Sequence, residues 1–223
     1  DGDVVNLEIN WFADGKPALA LKGSRVVTPT HTAKAQRWSV VVVPSDGQAT
    51  GLAVTDSFVV RNTPPPASKI ELKPKTPLAG QNVQVQITPT AKDIDGDAVS
   101  HRVKFLVNGR PAAGHDGISP TLPAAAFHRG DRIAVLVTPD DGEALGPLVR
   151  DDGAVGNSAP ELRDLKSEPQ SPTGDDVLKC VVVQPATDPD NDPLQLFVGW
   201  EINGKRTIGS GPEATWPAAQ AKP

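Results

Sequence analysis

Asp93-Ile94-Asp95-Gly96-Asp97 returns 95 residues later as Asp188-Pro189-Asp190-Asn191-Asp192, and this echo decides the fold. At the same offset Pro74 and Pro77 meet Pro169 and Pro172, Pro44-Ser45-Asp46-Gly47 meets Pro139-Asp140-Asp141-Gly142, and Asn62 meets Asn157. Gly15, Gly109 and Gly204 each lie 12 residues after an aspartate, Asp3, Asp97 and Asp192. Ordered matches at one spacing mark a tandem array in which one structural unit is copied along the chain. The predicted boundaries are a partial copy over 1–66, a complete copy over 67–160 and a second partial copy over 161–223. The first copy lacks the opening strands and the last lacks the closing ones.

Each acidic motif is followed by strict alternation of apolar and polar residues. Val5, Leu7, Ile9 and Trp11 do this in the first copy, Val99, His101, Val103 and Phe105 in the second, and Leu194, Leu196, Val198 and Trp200 in the third. A period of two predicts strands with one buried face. Trp38, Val40 and Val42, Val83, Val85 and Ile87, Ile133, Val135 and Val137, and Leu178, Cys180 and Val182 repeat the pattern. Asp14-Gly15, Asn108-Gly109 and Asn203-Gly204 read as hairpin turns, because Gly and Asn accept positive φ. No segment carries a helical stripe. The predicted fold is all-β: tandem immunoglobulin-like antiparallel sandwiches joined by short Pro-rich linkers at Arg61–Pro66 and Gly156–Pro160. Proline in such linkers stiffens them.

Composition narrows the function. Twenty-two Lys and Arg against 27 Asp and Glu leave a net charge of −5, unlike the clustered positive charge of a nucleic-acid binder. No apolar run reaches the roughly 18 residues of a membrane-spanning helix. The sequence holds no Met and starts at Asp1, so the chain is expected to be processed or excised from something longer. A single cysteine, Cys180, precludes a disulfide framework and reads as a small buried hydrophobe on an alternating strand.

The order of the acidic motif, Val107-Asn108-Gly109, Arg129-Gly130-Asp131, Thr138-Pro139-Asp140-Asp141-Gly142 and Asn157-Ser158-Ala159-Pro160 resembles the tandem cadherin-like, PKD-like and other immunoglobulin-like repeats of bacterial secreted and surface proteins. The resemblance implies an extracellular or cell-surface location and work as an adhesin, spacer or fibre component. Some such repeats bind Ca²⁺ between modules, although here Asn62-Thr63-Pro64 and Asn157-Ser158-Ala159-Pro160 replace the Asp-rich cadherin linker.

The acidic motifs are the candidate site. Asp93, Asp95, Asp97, Asp188, Asp190 and Asp192 present the hard oxygens that Ca²⁺ takes in sets of six to eight. Asp140 and Asp141, or Asp151 and Asp152, would complete a site if the loops met at one end of a sandwich. The competing reading is an acidic turn, since Asp and Gly favour turns. An EF-hand is excluded, because Lys104 falls where the bidentate glutamate belongs. His31, His101, His115 and His128 share no metal-ligand spacing, and His101 stands in an inward strand slot, where a hydrogen-bonded histidine is expected. No nucleophile elbow, phosphate loop or zinc-protease motif occurs, so no catalytic residue is assigned and the chain is read as non-enzymatic.

The function expected from sequence is a stalk, spacer or filament subunit whose partners are other modules or copies of itself. In the filament form the split end copies complete one another head to tail. The alternative is a carbohydrate- or peptide-binding accessory module. Its weakness is aromatic supply: Trp11, Trp38, Trp200 and Trp216 all occupy expected core slots, and tyrosine is absent.

Overall fold

In a computed structural model, residues 4–113, 115, 117–209 and 215–216 are described. The strands, in chain order, are β1 (Asn6–Ala13), β2 (Lys16–Pro17), β3 (Arg37–Ser45), β4 (Val54–Val59), β5 (Ser68–Lys73), β6 (Val83–Pro89), β7 (Ser100–Val107), β8 (Arg110–Pro111), β9 (Thr121–Leu122), β10 (Arg132–Asp140), β11 (Val149–Ala154), β12 (Asp164–Glu168), β13 (Leu178–Gln184), β14 (Val198–Ile202), β15 (Lys205–Gly209) and β16 (Thr215–Trp216). The helical content among the described residues is three short 3₁₀ turns. The all-β expectation is met. The sheets run in the orders β2-β1-β3-β4, β5-β6-β9, β11-β10-β7-β8, β12-β13-β16 and β14-β15.

The predicted hairpins form where Asp14-Gly15, Asn108-Gly109 and Asn203-Gly204 stand. Both residues of each pair have positive φ, between 46° and 80°. This is the type I′ geometry, whose twist matches that of the flanking strands.

The chain divides into two compact units, and β5, β6, β7, β10 and β11 contribute residues to both. The first unit comprises Asp1–Glu71, Gln86–Lys104 and Leu136–Arg150. In it β1 and β3 pair in antiparallel register, with Ile9 opposite Val42, Trp11 opposite Val40 and Ala13 opposite Trp38. Trp38 is 2% exposed and packs edge-on against Trp11, with ring centroids 6.3 Å apart. Ser68 on β5 lies 2.8 Å from the Nε2 of His101 on β7 (Ser68 Oγ to ring nitrogen), so the inward histidine is hydrogen-bonded as expected. Burial holds its pKa below the ordinary histidine value.

The second unit comprises Leu72–Val85, Phe105–Val135 and Asp151–Pro223. Its core gathers Leu72, Val83, Phe105, Leu122, Ile133 and Val135, each at most 2% exposed. Burial of such a side chain is worth about 1.5–3 kcal/mol. The Asp151 carboxylate on β11 accepts the backbone N–H of Leu72, on β5, at 2.9 Å and binds the ammonium of Lys75. Gly153 is needed here: a Cβ on it would come within 2.6 Å of the Lys75 carbonyl.

Three expectations need correction. The strand predicted from Leu194 begins only at Val198, because β14 has β15 as its neighbour while the equivalent β7 lies between β10 and β8. Leu194 and Leu196 therefore have no strand to pair with among the described residues. The repeated aromatic slot is not equally buried: Phe105 is 1% exposed, whereas Trp11 and Trp200 are half-buried. Cys180 is half-buried rather than enclosed, and it lines an open apolar cleft of about 260 Å³ with Leu165, Val182, Phe197 and Trp200. The side chain of Trp216 lies outside the described residues.

Candidate functional site

The two acidic motifs fold as the same turn. Asp93 Oδ1 accepts the backbone N–H of Asp95 at 2.8 Å and that of Asp97 at 3.4 Å. Asp188 Oδ1 accepts the N–H groups of Asp190 and Asp192 at 2.8 and 3.3 Å. Each turn needs one left-handed residue, supplied by Gly96 at φ 83° in one motif and Asn191 at φ 62° in the other. Asn replaces Gly without a change of shape because it tolerates this region better than other non-glycine residues. The turn reading is thus met at both motifs.

The remaining carboxylates turn outward to the linkers. Within the first unit, Asp95 Oδ2 accepts the backbone N–H of Thr63 at 2.7 Å. Asp97 Oδ2 accepts from the ammonium of Lys34 at 2.7 Å, and the same ammonium reaches Glu143 Oε1 at 2.7 Å. Within the second unit, Asp190 Oδ2 accepts the backbone N–H of Ser158 at 2.5 Å, and Asp192 binds the guanidinium of Arg129. Thr63 and Ser158 are 95 residues apart, as are Lys34 and Arg129 and the aspartates they meet. The first Asp of each motif closes its own turn, the second holds the linker backbone, and the third holds a cation from the chain before the linker. A carboxylate that accepts a backbone N–H or an ammonium makes a charge-assisted bond, about twice as strong as a neutral one.

The candidate ligands Asp140 and Asp141 approach the first linker but serve other partners. Asp141 Oδ2 accepts from the side-chain amide of Asn62 at 2.9 Å, and its Oδ1 closes the loop onto Glu143 and Ala144. The Asn62 amide, followed by the Ala144 N–H, holds its carboxyl below the ordinary carboxylate range. Asp140 takes the Gly142 N–H and the Arg102 guanidinium, and these lower its pKa in the same order. Hydrogen bonds to Asp97 and Glu143 hold Lys34 well above the usual lysine value. Asp151 belongs to the β5–β11 contact instead.

Asp93, Asp95 and Asp97 are the one carboxylate triad, among the described residues, whose oxygens lie close enough to share a metal, within 4.8 Å of one another. Sequence reasoning missed Lys34, Arg129 and the linker amides. A basic residue at the same phase of two copies was the available signal, though lysine and arginine on a surface loop are too common to stand out alone.

No family model matches the chain, and no curated protein matches it. Among solved structures it is similar to the FN1–FN3 domains of chicken CNTN1, at 10% identity and a TM-score of 0.34, over 97% of this chain and 79% of that one. It is also similar to the chicken interferon gamma receptor alpha chain, at 13% identity and a TM-score of 0.39, over 70% of this chain and 87% of that one. No helix among the described residues is long and apolar enough to cross a membrane. The chain's own strands and turns give it the architecture of antiparallel immunoglobulin-like β-sandwich modules.

Proposed function

We propose that the chain is a non-catalytic extracellular structural or adhesion protein: a string of modules over 1–66, 67–160 and 161–223 that works as a stalk or spacer. One observation carries this reading. The two linkers are held by equivalent residues in the same way, Thr63 on Asp95 and Lys34 on Asp97, then Ser158 on Asp190 and Arg129 on Asp192. A linker that only needed to connect would not repeat its contacts. Repetition favours a set geometry at each step along the array, as a spacer requires, and the prolines of each linker add stiffness.

Limited trypsin digestion at Arg61, beside the first clasp, tests the reading. Asp95→Ala should speed cleavage there about tenfold, since a hydrogen bond to a charged group is worth about 1.5–3 kcal/mol before exposure discounts it. Equal cleavage rates in the variant and the parent would remove the reading.

The assembly form of the proposal is head-to-tail contact between copies. It draws on two apolar surfaces: the sheet β2-β1-β3-β4, where Leu7 and Phe58 are each 47% exposed, and the cleft beside Cys180. A covering sheet would sit differently there from β5 on β11, because Phe58 stands 95 residues before Gly153, whose place admits no Cβ. Light scattering tests it, and a strict monomer at high concentration excludes it. For the carbohydrate- or peptide-binding alternative, Trp38 is 2% exposed and offers no ring face, whereas the half-buried Trp11 and Trp200, the latter lining the cleft beside Cys180, are the aromatics it would draw on.

A further inference from the structure

We infer that Asn108 is a site of spontaneous deamidation, and that its conversion to an acid loosens the turn that carries Arg129 to the second linker. Asn108-Gly109 forms the exposed tip of the β7–β8 hairpin, with φ of 50° and 80°. Gly109 has no side chain to hinder approach to its nitrogen, and a Cβ built on it would meet nothing within 4 Å. Strand β8 holds only Arg110 and Pro111, paired with Val107 and Leu106, and so short a pairing opens locally at low cost.

The reaction needs only water. The Gly109 nitrogen attacks Cγ of Asn108, its proton passes to Nδ2, the Cγ–Nδ2 bond breaks, and ammonia leaves a cyclic imide. Water then opens the imide at either carbonyl. One product is aspartate. The other, isoaspartate, routes the main chain through the side-chain carbon and lengthens the turn by one atom, which disturbs the Val107–Arg110 pairing.

The consequence depends on Asp131. Asn108 Nδ2 donates to Asp131 Oδ1 at 2.7 Å, while Asn108 Oδ1 accepts the N–H of Arg132 at 2.9 Å. Asp131 Oδ2 accepts the N–H of His128 at 2.7 Å, closing a turn in which Gly130 has φ 84° and Arg129 reaches Asp192 and Asn157. The His128 N–H, followed by the Asn108 amide, holds the Asp131 carboxyl below the ordinary carboxylate range, so it is charged at neutral pH. Deamidation puts a second carboxylate oxygen where the donor Nδ2 stood. Two carboxylates in contact repel unless one takes up a proton.

The first copy shows how an acid is accommodated. Asp14 stands at the same turn, and its Oδ1 accepts the N–H of Arg37 at 2.8 Å, as Asn108 does for Arg132. Gln36 takes the place of Asp131, and its Oε1 accepts the N–H of Ala33 at 2.9 Å, as Asp131 does for His128. Each copy thus sets one carboxylate and one amide at these two positions, in opposite order. The hairpin tolerates an aspartate, whereas its pairing with Asp131 does not.

Ageing the whole chain in mildly alkaline buffer tests this. After denaturation, the tryptic peptide Phe105–Arg129, uncut at Arg110 because Pro111 follows, contains a single asparagine. It should accumulate in aspartate and isoaspartate forms. In the aged chain, isolated by ion exchange on its added charge, amide exchange at His128 should quicken at least about tenfold, as for loss of a bond to a charged acceptor. Asn108→Asp should reproduce this without ageing. Adding Asp131→Gln, which copies Asp14 and Gln36, should restore slow exchange, or restore folding if the single variant does not fold. A peptide that stays asparagine while a synthetic Phe105–Arg110 converts would overturn the inference. So would unchanged His128 exchange in Asn108→Asp, or a double variant no better than the single one. The inference draws on the Arg129 clasp but not on the spacer role: mobile linkers would remove that role and leave these outcomes standing.

Discussion

The linkers at Arg61–Pro66 and Gly156–Pro160 are two solutions of one problem, alike in their bond to the following motif and different in the groups gathered around it. Both anchor a backbone N–H on the middle aspartate of the motif that follows, at 2.7 Å and 2.5 Å. The first adds the loop Asp140–Glu143, through Asn62 to Asp141 and Lys34 to Glu143. The second tightens on itself: Arg129 ties Asp192 to Asn157, and the buried Ser158 hydroxyl accepts the N–H of Ala79 at 3.1 Å. Lys34 spends its ammonium on two carboxylates, whereas one nitrogen of Arg129, Nη1, serves a carboxylate and the Asn157 side-chain oxygen. The lesson is that a conserved charge at a repeated position need not leave the same groups satisfied.

The largest expected effect breaks the shared part. Asp95→Ala and Asp190→Ala each strand a linker amide and remove a charge-assisted bond, costing about 1–2 kcal/mol once partial exposure is allowed for. Amide exchange at Thr63 and Ser158 should rise by a similar factor in the respective variants. A large rise at one linker and none at the other would mean that the clasps are not equivalent.

A smaller effect should sharpen the difference. Arg129→Lys leaves Asn157 Oδ1 without its donor, so the second linker should come to resemble the first, with amide exchange at Ser158 a few-fold faster, as for loss of one modest hydrogen bond. Unchanged exchange would show that the bond from Arg129 to Asn157 is incidental.

Acid should separate the linkers further. Asp141 is held below its ordinary value by Asn62 and its own loop, so the unfolded chain takes up protons first as pH falls. The stability it lends is fully present above about pH 4, the unfolded carboxylate range, and is lost as pH drops through the depressed folded value. Protection at the first linker, followed by exchange from pH 7 downward, should stay flat to about pH 4 and then fall. A decline starting near pH 6 would point to another group.

The smallest effect is a control between the linkers. Burial holds the His101 pKa below its ordinary value, so the unfolded chain binds the proton first as pH falls, and stability declines below about pH 6.5. His101→Leu, which copies Leu7 and Leu196, should flatten the melting temperature between pH 7 and 5 without altering either clasp. A slope that survives the substitution would clear His101 of the effect.

Much of this is legible in the sequence. Period-two alternation located β1, β3, β7, β10 and β13, because a half-buried strand must alternate, and Asn-Gly or Asp-Gly placed the hairpins. The acidic turns were legible too, since Asp caps and Gly turns are local chemistry. The clasps were not. Lys34 and Asp97 are 63 residues apart, and so are Arg129 and Asp192, so nothing local announces the contact. Exposure of Trp11 and Trp200 was equally hidden, because alternation tells which face a residue takes but not whether a second sheet covers it.

Paired spin labels across each linker test the central claim most directly. With Cys180→Val in place, labels on the exposed residues Gln48 and Lys104 span the first linker, and labels on Arg110 and Lys179 span the second. The account predicts a narrow distance distribution for both pairs. Asp95→Ala should broaden the first alone and Asp190→Ala the second alone. Broad distributions in the parent chain, or narrow ones that survive both substitutions, would contradict it.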